Sequence, residues 1–158
     1  MKNLKIRSLF AATEVSLVYK NKVAPKDRLK VADSSAAYDV FLNAWDMNKI
    51  ELVEHSMMLG LDTGNKCLGI SLISTGGISH NLIDPKIVFL TALKLRATRI
   101  ILAHNHPSGE LRPSPQDIRL TENLIEAGKY LGINVADHLI VSRRGYSAFS
   151  ENGWCHFR

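Results

Sequence analysis

A chain of 158 residues that is 46% apolar and 22% charged has the length and composition of one soluble domain, able to bury a core without disulfides or a structural metal. No window approaches the roughly 18 consecutive apolar residues of a membrane span, and the apolar run Leu9 to Thr13 is stopped by Glu14 short of signal-peptide length. The expectation is a cytoplasmic protein with no membrane contact. The net charge of +5 is uneven: residues 1–30 carry eight basic and two acidic side chains, whereas the other 128 carry 12 basic and 13 acidic.

That imbalance divides the chain into a basic N-terminal segment, 1–30, and a domain, 31–158. The segment has two readings, a solvated leader or an electrostatic attractor of nucleic acid; few aromatic side chains are present to stack bases. Val15 to Tyr19 reads as a short strand. Asp33-Ser34-Ser35 offers a helix N-cap, and Ala36, Ala37, Val40, Phe41 and Trp45 follow at helical spacing. Val53 to Asp62 reads as a strand, Thr63-Gly64-Asn65 as a tight turn, and Cys67 to Ser74 as the returning hairpin strand, with a further extended piece running to Leu82. Cys67 and Cys155 lack CxxC spacing and do not make a disulfide framework; Cys67 reads as a small core residue.

Asp84-Pro85 starts a second helix, with proline where its missing N–H is harmless, and Val88 to Leu95 carry it to about Arg96. Arg99 to Ala103 is a β-branched apolar run of the kind buried on both faces. A Pro- and Gly-rich loop, His104 to Pro113, leads to a helix opened by Ser114-Pro115-Gln116-Asp117 and closed at Gly132. Ile133 to Val141 and Tyr146 to Phe149 finish as a hairpin. Helix, hairpin, helix, buried strand, helix, hairpin is the order of an α/β sandwich with a mixed sheet.

The stretch carrying chemistry is Leu102-Ala103-His104-Asn105-His106-Pro107-Ser108-Gly109, continuing to Ser114 and Asp117. Residues two apart on an extended chain share a side, so His104 and His106 can offer two imidazoles to one point. Asp117 lies in the first turn of the next helix, within reach of a folded-back loop. Two imidazoles and one carboxylate leave a tetrahedral zinc one open position, the mark of a catalytic site, where water ionises near a pKa of about 7. Such a site needs a general base. Glu54, at the head of a strand able to lie beside the histidines, is the candidate, with Glu51 a rival on position alone. Ser114 is a candidate oxyanion donor. Ser-Pro-x-Asp is equally a helix-start signature, so Ser114 and Asp117 each have a capping reading as well. Asp137 and His138 are neighbours on a strand and face opposite ways, which points to a hydrogen-bonded supporting role. His55, His80 and His156 have no assigned role, and Asn105, Pro107, Ser108 and Gly109 read as shaping the loop.

At these residues the sequence resembles the JAB/MPN+ (JAMM) metalloprotease superfamily, whose signature is a distant Glu, then His-x-His, seven residues, Ser, two residues and Asp. His104, His106, the seven residues Pro107 to Pro113, Ser114 and Asp117 fit it. Within it the chain is similar to the RadC-like branch through His104 to Gly109, Pro113-Ser114, Asp117, Thr121, Asp137-His138, and Tyr146 to Phe149 with Glu151, over roughly residues 35–153. The resemblance implies a cytidine-deaminase-like three-layer α/β sandwich. It also implies one Zn2+ per chain on His104, His106 and Asp117, with catalytic Glu54 and Ser114, and it lifts Glu54 above Glu51. The implied activity is metallopeptidase-type hydrolysis of a peptide or isopeptide bond in a peptide or protein substrate. The alternative is an accessory role in DNA repair or recombination. Two features are expected to depart from the family: the chain is expected to lack room for the N-terminal helix-hairpin-helix region of longer relatives, and Lys86-Ile87 stands where relatives carry a basic-acidic pair.

Overall fold

The computed structural model describes residues 23–78 and 80–157. The strand expected at Val15 to Tyr19 and most of the basic segment fall outside these residues. After a 3-10 turn at Pro25–Asp27, helix α1 runs Ser34–Ala44. Asp33 caps it by accepting the Ala36 N–H at 2.8 Å. Strands β1 (His55–Leu61) and β2 (Cys67–Thr75) form the expected hairpin. Helix α2 (Pro85–Leu95) starts on Asp84, and β3 (Arg99–Asn105) follows. Helix α3 (Pro115–Leu131), β4 (Asn134–Ser142), β5 (Gly145–Ala148) and a single turn, α4 (Phe149–Asn152), complete the order.

The sheet order is β2-β1-β3-β4-β5, with β3 and β4 parallel and every other pair antiparallel. Helices cover both faces, giving the three-layer α/β sandwich with a mixed sheet. Against α1 lie Met57, Leu59, Leu61, Ile101, Ala103, Leu139 and Val141 around Phe41 and Trp45. On the opposite face Met58, Ile100, Leu102 and Val135 pack against Val88, Phe89 and Ala92 of α2 and Leu124 of α3. β1 and β3 are therefore buried on both sides, which is why neither sequence alternates in polarity.

Two boundaries differ from the sequence reading for local reasons. β1 begins at His55 rather than Val53, because the His55 N–H is taken by the Asn105 side chain (2.7 Å) instead of a backbone carbonyl. The described residues of the expected extended piece, 76–78 and 80–82, form no strand; Gly77 N–H turns back to the His80 carbonyl at 2.9 Å. At the end of α3, Gly132 takes φ 65°, and the Ile133 N–H closes onto the Gly128 carbonyl at 2.9 Å. A Cβ at Gly128 would strike the Ile133 carbonyl oxygen, so glycine is required there.

β4 carries one irregularity that matters for the site. Ile100 pairs with Val135 but Ile101 pairs with Asp137, leaving Ala136 as an extra residue. Val135 faces α3, Ala136 faces the α1 layer, and Asp137 joins it on that side, where it accepts from Ser34 Oγ at 3.1 Å and Ser150 Oγ at 2.8 Å. The bulge shifts the alternation by one, so that His138 turns towards α3. Among the described residues no helix is long and apolar enough to cross a membrane.

Candidate metal centre

Along β3, Ile100 and Leu102 point to the α2/α3 face, so alternation places His104 there too. His106 lies just beyond the strand end. The Pro- and Gly-containing loop returns the chain so that the N-terminus of α3 overhangs both rings. His104 Nε2 and His106 Nε2 are 3.0 Å apart. Asp117 Oδ1 is 3.5 Å from the first and Asp117 Oδ2 is 3.7 Å from the second. The three ligating atoms lie within 4.8 Å of one another. The side chains are 5%, 16% and 19% exposed respectively, so the cluster is shielded but reachable from solvent.

The second nitrogen of each ring is engaged elsewhere. His106 Nδ1 lies 2.8 Å from the Glu110 carbonyl oxygen, which can only accept, so Nδ1 carries the proton and Nε2 presents its lone pair. His104 Nδ1 meets His138 Nε2 at 2.8 Å. Asp117 Oδ2 accepts the Ser114 N–H at 2.7 Å and the Ser114 hydroxyl at 2.6 Å, and Ser114 Oγ accepts the Asp117 N–H at 3.2 Å. This is a capping box, and it leaves Asp117 Oδ1 turned towards His104. The helix-start and ligand readings of Asp117 are thus compatible. Burial works against the Asp117 charge, yet the two imidazoles against it hold its carboxyl far below the usual carboxylate range. The same contact, with Asp117 first among its causes, raises the His106 pKa against the opposing effect of burial.

Glu54 directly precedes β1, and β1 pairs Ser56 with His104, so the antiparallel register sets Glu54 towards His106. Its charge contributes to the raised His106 pKa. The Glu54 backbone is held by its N–H to the Gly77 carbonyl and by the Gly76 N–H to its own carbonyl, each 2.8 Å. Glu51 is instead exposed and paired with Arg143 at 3.6 Å. A cleft of about 350 Å3 opens beside His106, lined among others by Ile50, Leu111, Arg143 and Arg144.

Sequence reasoning undervalued Asn105. It is fully buried; its Oδ1 accepts the His55 N–H, and its Nδ2 donates to the carbonyls of Ile50 (2.6 Å) and Val53 (2.9 Å). It pins the segment carrying Glu54 to the strand end carrying the histidines. Its position between two candidate ligands was the available signal. Asp137 and His138 do face opposite sides. His138 is fully buried and stacked on Phe149 at a ring separation of 4.6 Å, and burial, then the charge of His104, pushes its pKa well down. His55 lies on the other sheet face, lining a separate apolar cavity of about 550 Å3. Cys67 and Cys155 are free thiols.

The donor set fits a zinc ion. Two imidazole lone pairs face each other across 3.0 Å with a carboxylate beside them, an arrangement that repels itself until a cation or proton is shared. In sequence comparison, the RadC-like JAB domain description matches residues 31–154. A UPF0758 protein of Methanococcoides burtonii is 38% identical over 130 residues, covering 82% of this chain and 55% of that protein. One from Synechocystis sp. is 40% identical over 148 residues, 93% and 59%. A third, from Symbiobacterium thermophilum, is 34% identical over 149 residues, 94% and 62%. The chain spans between 55% and 62% of the length of these relatives. A domain match across 31–154, on a sheet that brings the His-x-His pair to the aspartate, means that this chain belongs to the RadC-like JAB domain family.

Proposed function

We propose that this protein is a zinc-dependent hydrolase of the JAMM metallopeptidase type, cleaving a peptide or isopeptide amide. The observation that carries this reading is the convergence of His104 Nε2, His106 Nε2 and the Asp117 carboxylate within 4.8 Å, at the edge of a cleft and with Glu54 set beside it. His104, His106 and Asp117 would hold one zinc. When bound, the ion supplies Lewis acidity and lowers the pKa of water at the site.

Glu54 then accepts a proton from the attacking water and returns it to the departing amine nitrogen, so that the amine leaves neutral. The substrate enters by the cleft that Ile50 and Leu111 line, where Arg143 and Arg144 sit at the rim. Ser114 holds Asp117 in place through the capping box. A contribution to the oxyanion requires its hydroxyl to turn from Asp117, since that one proton is donated to Oδ2.

The test is a zinc-loaded preparation incubated with a quenched fluorescent peptide library and with isopeptide-linked protein conjugates. Cleavage that a chelator abolishes and added zinc restores is the expected result. The DNA-associated alternative draws on the basic residues of 1–30; salt-dependent binding to duplex DNA by a zinc-loaded protein that cleaves no amide would favour it instead.

Metal binding should depend on pH with a defined sign. The metal-free His106 has a raised pKa, so below that raised value zinc must displace a proton. Apparent zinc affinity is expected to fall about tenfold per pH unit there and to level off above it. Indicator-competition titrations from about pH 5.5 to 8 read this directly; an affinity independent of pH would remove His106 from the ligand set.

A further inference from the structure

Behind His104 lies a chain of hydrogen bonds whose direction can be worked out from its far end. Thr121, fully buried one turn beyond Asp117 on α3, has Oγ1 2.7 Å from the Asp117 carbonyl oxygen and 2.7 Å from His138 Nδ1. A carbonyl only accepts, so the single hydroxyl proton is spent on it. Towards His138 the Thr121 oxygen is then an acceptor, and His138 Nδ1 must carry a proton. His138 is wholly enclosed, lies flat against Phe149, and has no carboxylate hydrogen-bonded to its ring. A charged ring would be costly there, so His138 is the neutral Nδ1–H form with Nε2 bare. His138 Nε2 therefore accepts from His104 Nδ1 at 2.8 Å, and His104 Nε2, facing His106 and Asp117, is left with its lone pair free.

We infer that Thr121 and His138 are positioning residues that hold His104 in the tautomer a divalent cation requires. Every donor in the relay points away from the centre: His104 to His138, His138 to Thr121, Thr121 to the Asp117 carbonyl. The relay also binds three elements together, because the ligand on β3 is oriented through β4 by the helix that supplies the ligand Asp117. An imidazole without such a partner divides its time between tautomers, and the Nε2–H form offers the metal no lone pair. This inference rests on the proposed metal site, but its first consequence, the His104 tautomer, exists without metal.

The test uses the full chain with isolated substitutions. Thr121→Val keeps the shape and removes the acceptor, freeing His138 to reverse its tautomer and force His104 into the Nε2–H form; Thr121→Ser restores the hydroxyl. His138→Leu breaks the relay, and His138→Gln can restore it, with an amide oxygen for His104 and an N–H for Thr121. Zinc affinity is expected to drop about 10–100-fold in Thr121→Val and His138→Leu and to recover in the two conservative variants. Ring 15N spectra of the metal-free protein should show His104 protonated at Nδ1 in the wild type and shifted towards Nε2–H in Thr121→Val. A wild type that binds no zinc yet shows the Nδ1–H form ends the metal reading and upholds the relay. A wild type that binds zinc, with Thr121→Val unchanged in both affinity and ring spectrum, overturns the relay alone.

Discussion

Glu54→Gln should keep its zinc and lose its hydrolysis, whereas His104→Ala and Asp117→Asn should lose the zinc itself. Zinc sites in small domains bind with about 10–16 kcal/mol of apparent free energy. Spread over three protein ligands and a water, each ligand carries about 2.5–4 kcal/mol, so removing one weakens affinity by about 70- to 1,000-fold. Elemental analysis after gel filtration should find about one zinc per wild-type chain and little in either ligand variant. Glu54→Gln changes no ligand, so its metal content stays at the wild-type level while turnover falls by about 10²–10⁴, the usual contribution of a general base.

Asp117→Asn is preferred to alanine for a structural reason. The asparagine side chain can still accept from the Ser114 N–H and keep the start of α3 capped, so a lost metal is not a lost helix. His104→Ala leaves His138 Nε2 without its partner and should cost about 1–3 kcal/mol of stability, well short of unfolding a chain with core clusters on both sheet faces. Zinc retained in Asp117→Asn would return Asp117 to the role of helix cap alone.

Asn105→Ala should be the most destabilising single change near the centre. It would orphan the His55 N–H and the carbonyls of Ile50 and Val53 at a fully buried position. Each unsatisfied group costs about 1–3 kcal/mol, and with partial relaxation a total near 3 kcal/mol is expected, or a fall in Tm of about 6–12 °C for a domain of this size. Asn105→Asp should be no better, since both Nδ2 donors are replaced by an oxygen facing two carbonyls. Because the same bonds carry residues 50–54, catalysis in the alanine variant should fall while zinc is retained. Scanning calorimetry beside metal analysis reads both, and a Tm within about 2 °C of wild type would show that the three backbone groups find other partners.

What could be read from the sequence follows from how local each signal is. Asp33, Asp84 and the Ser114 to Asp117 box act within three residues of themselves, and the helices start where those residues place them. The β-branched run of β3 and the alternation that brings His104 and His106 to one side are equally short-range. Asn105 was opaque because its partners lie 50 to 55 residues away and are backbone atoms with no sequence signature. The part played by Thr121 was hidden for a different reason. Its contact with His138 depends on which way His138 faces, and that is decided by the unpaired Ala136, which no propensity marks. The single turn α4 is too short to leave a periodic pattern, and its Phe149 had read as the end of a strand.

The unpaired Ala136 has a consequence for how this domain can vary. With it, β4 offers an imidazole to one layer and a carboxylate to the other. Pair Ala136 with Ile101 in regular alternation, keeping Ile100 against Val135, and the two trade places: an anion arrives behind His104, and a ring is left among Ser34 and Ser150. Side chains along β4 can be exchanged one at a time, but Asp137 must stay against Ile101 and His138 against Leu102, so Ala136 is held out of the ladder by the chemistry on both sides of the sheet.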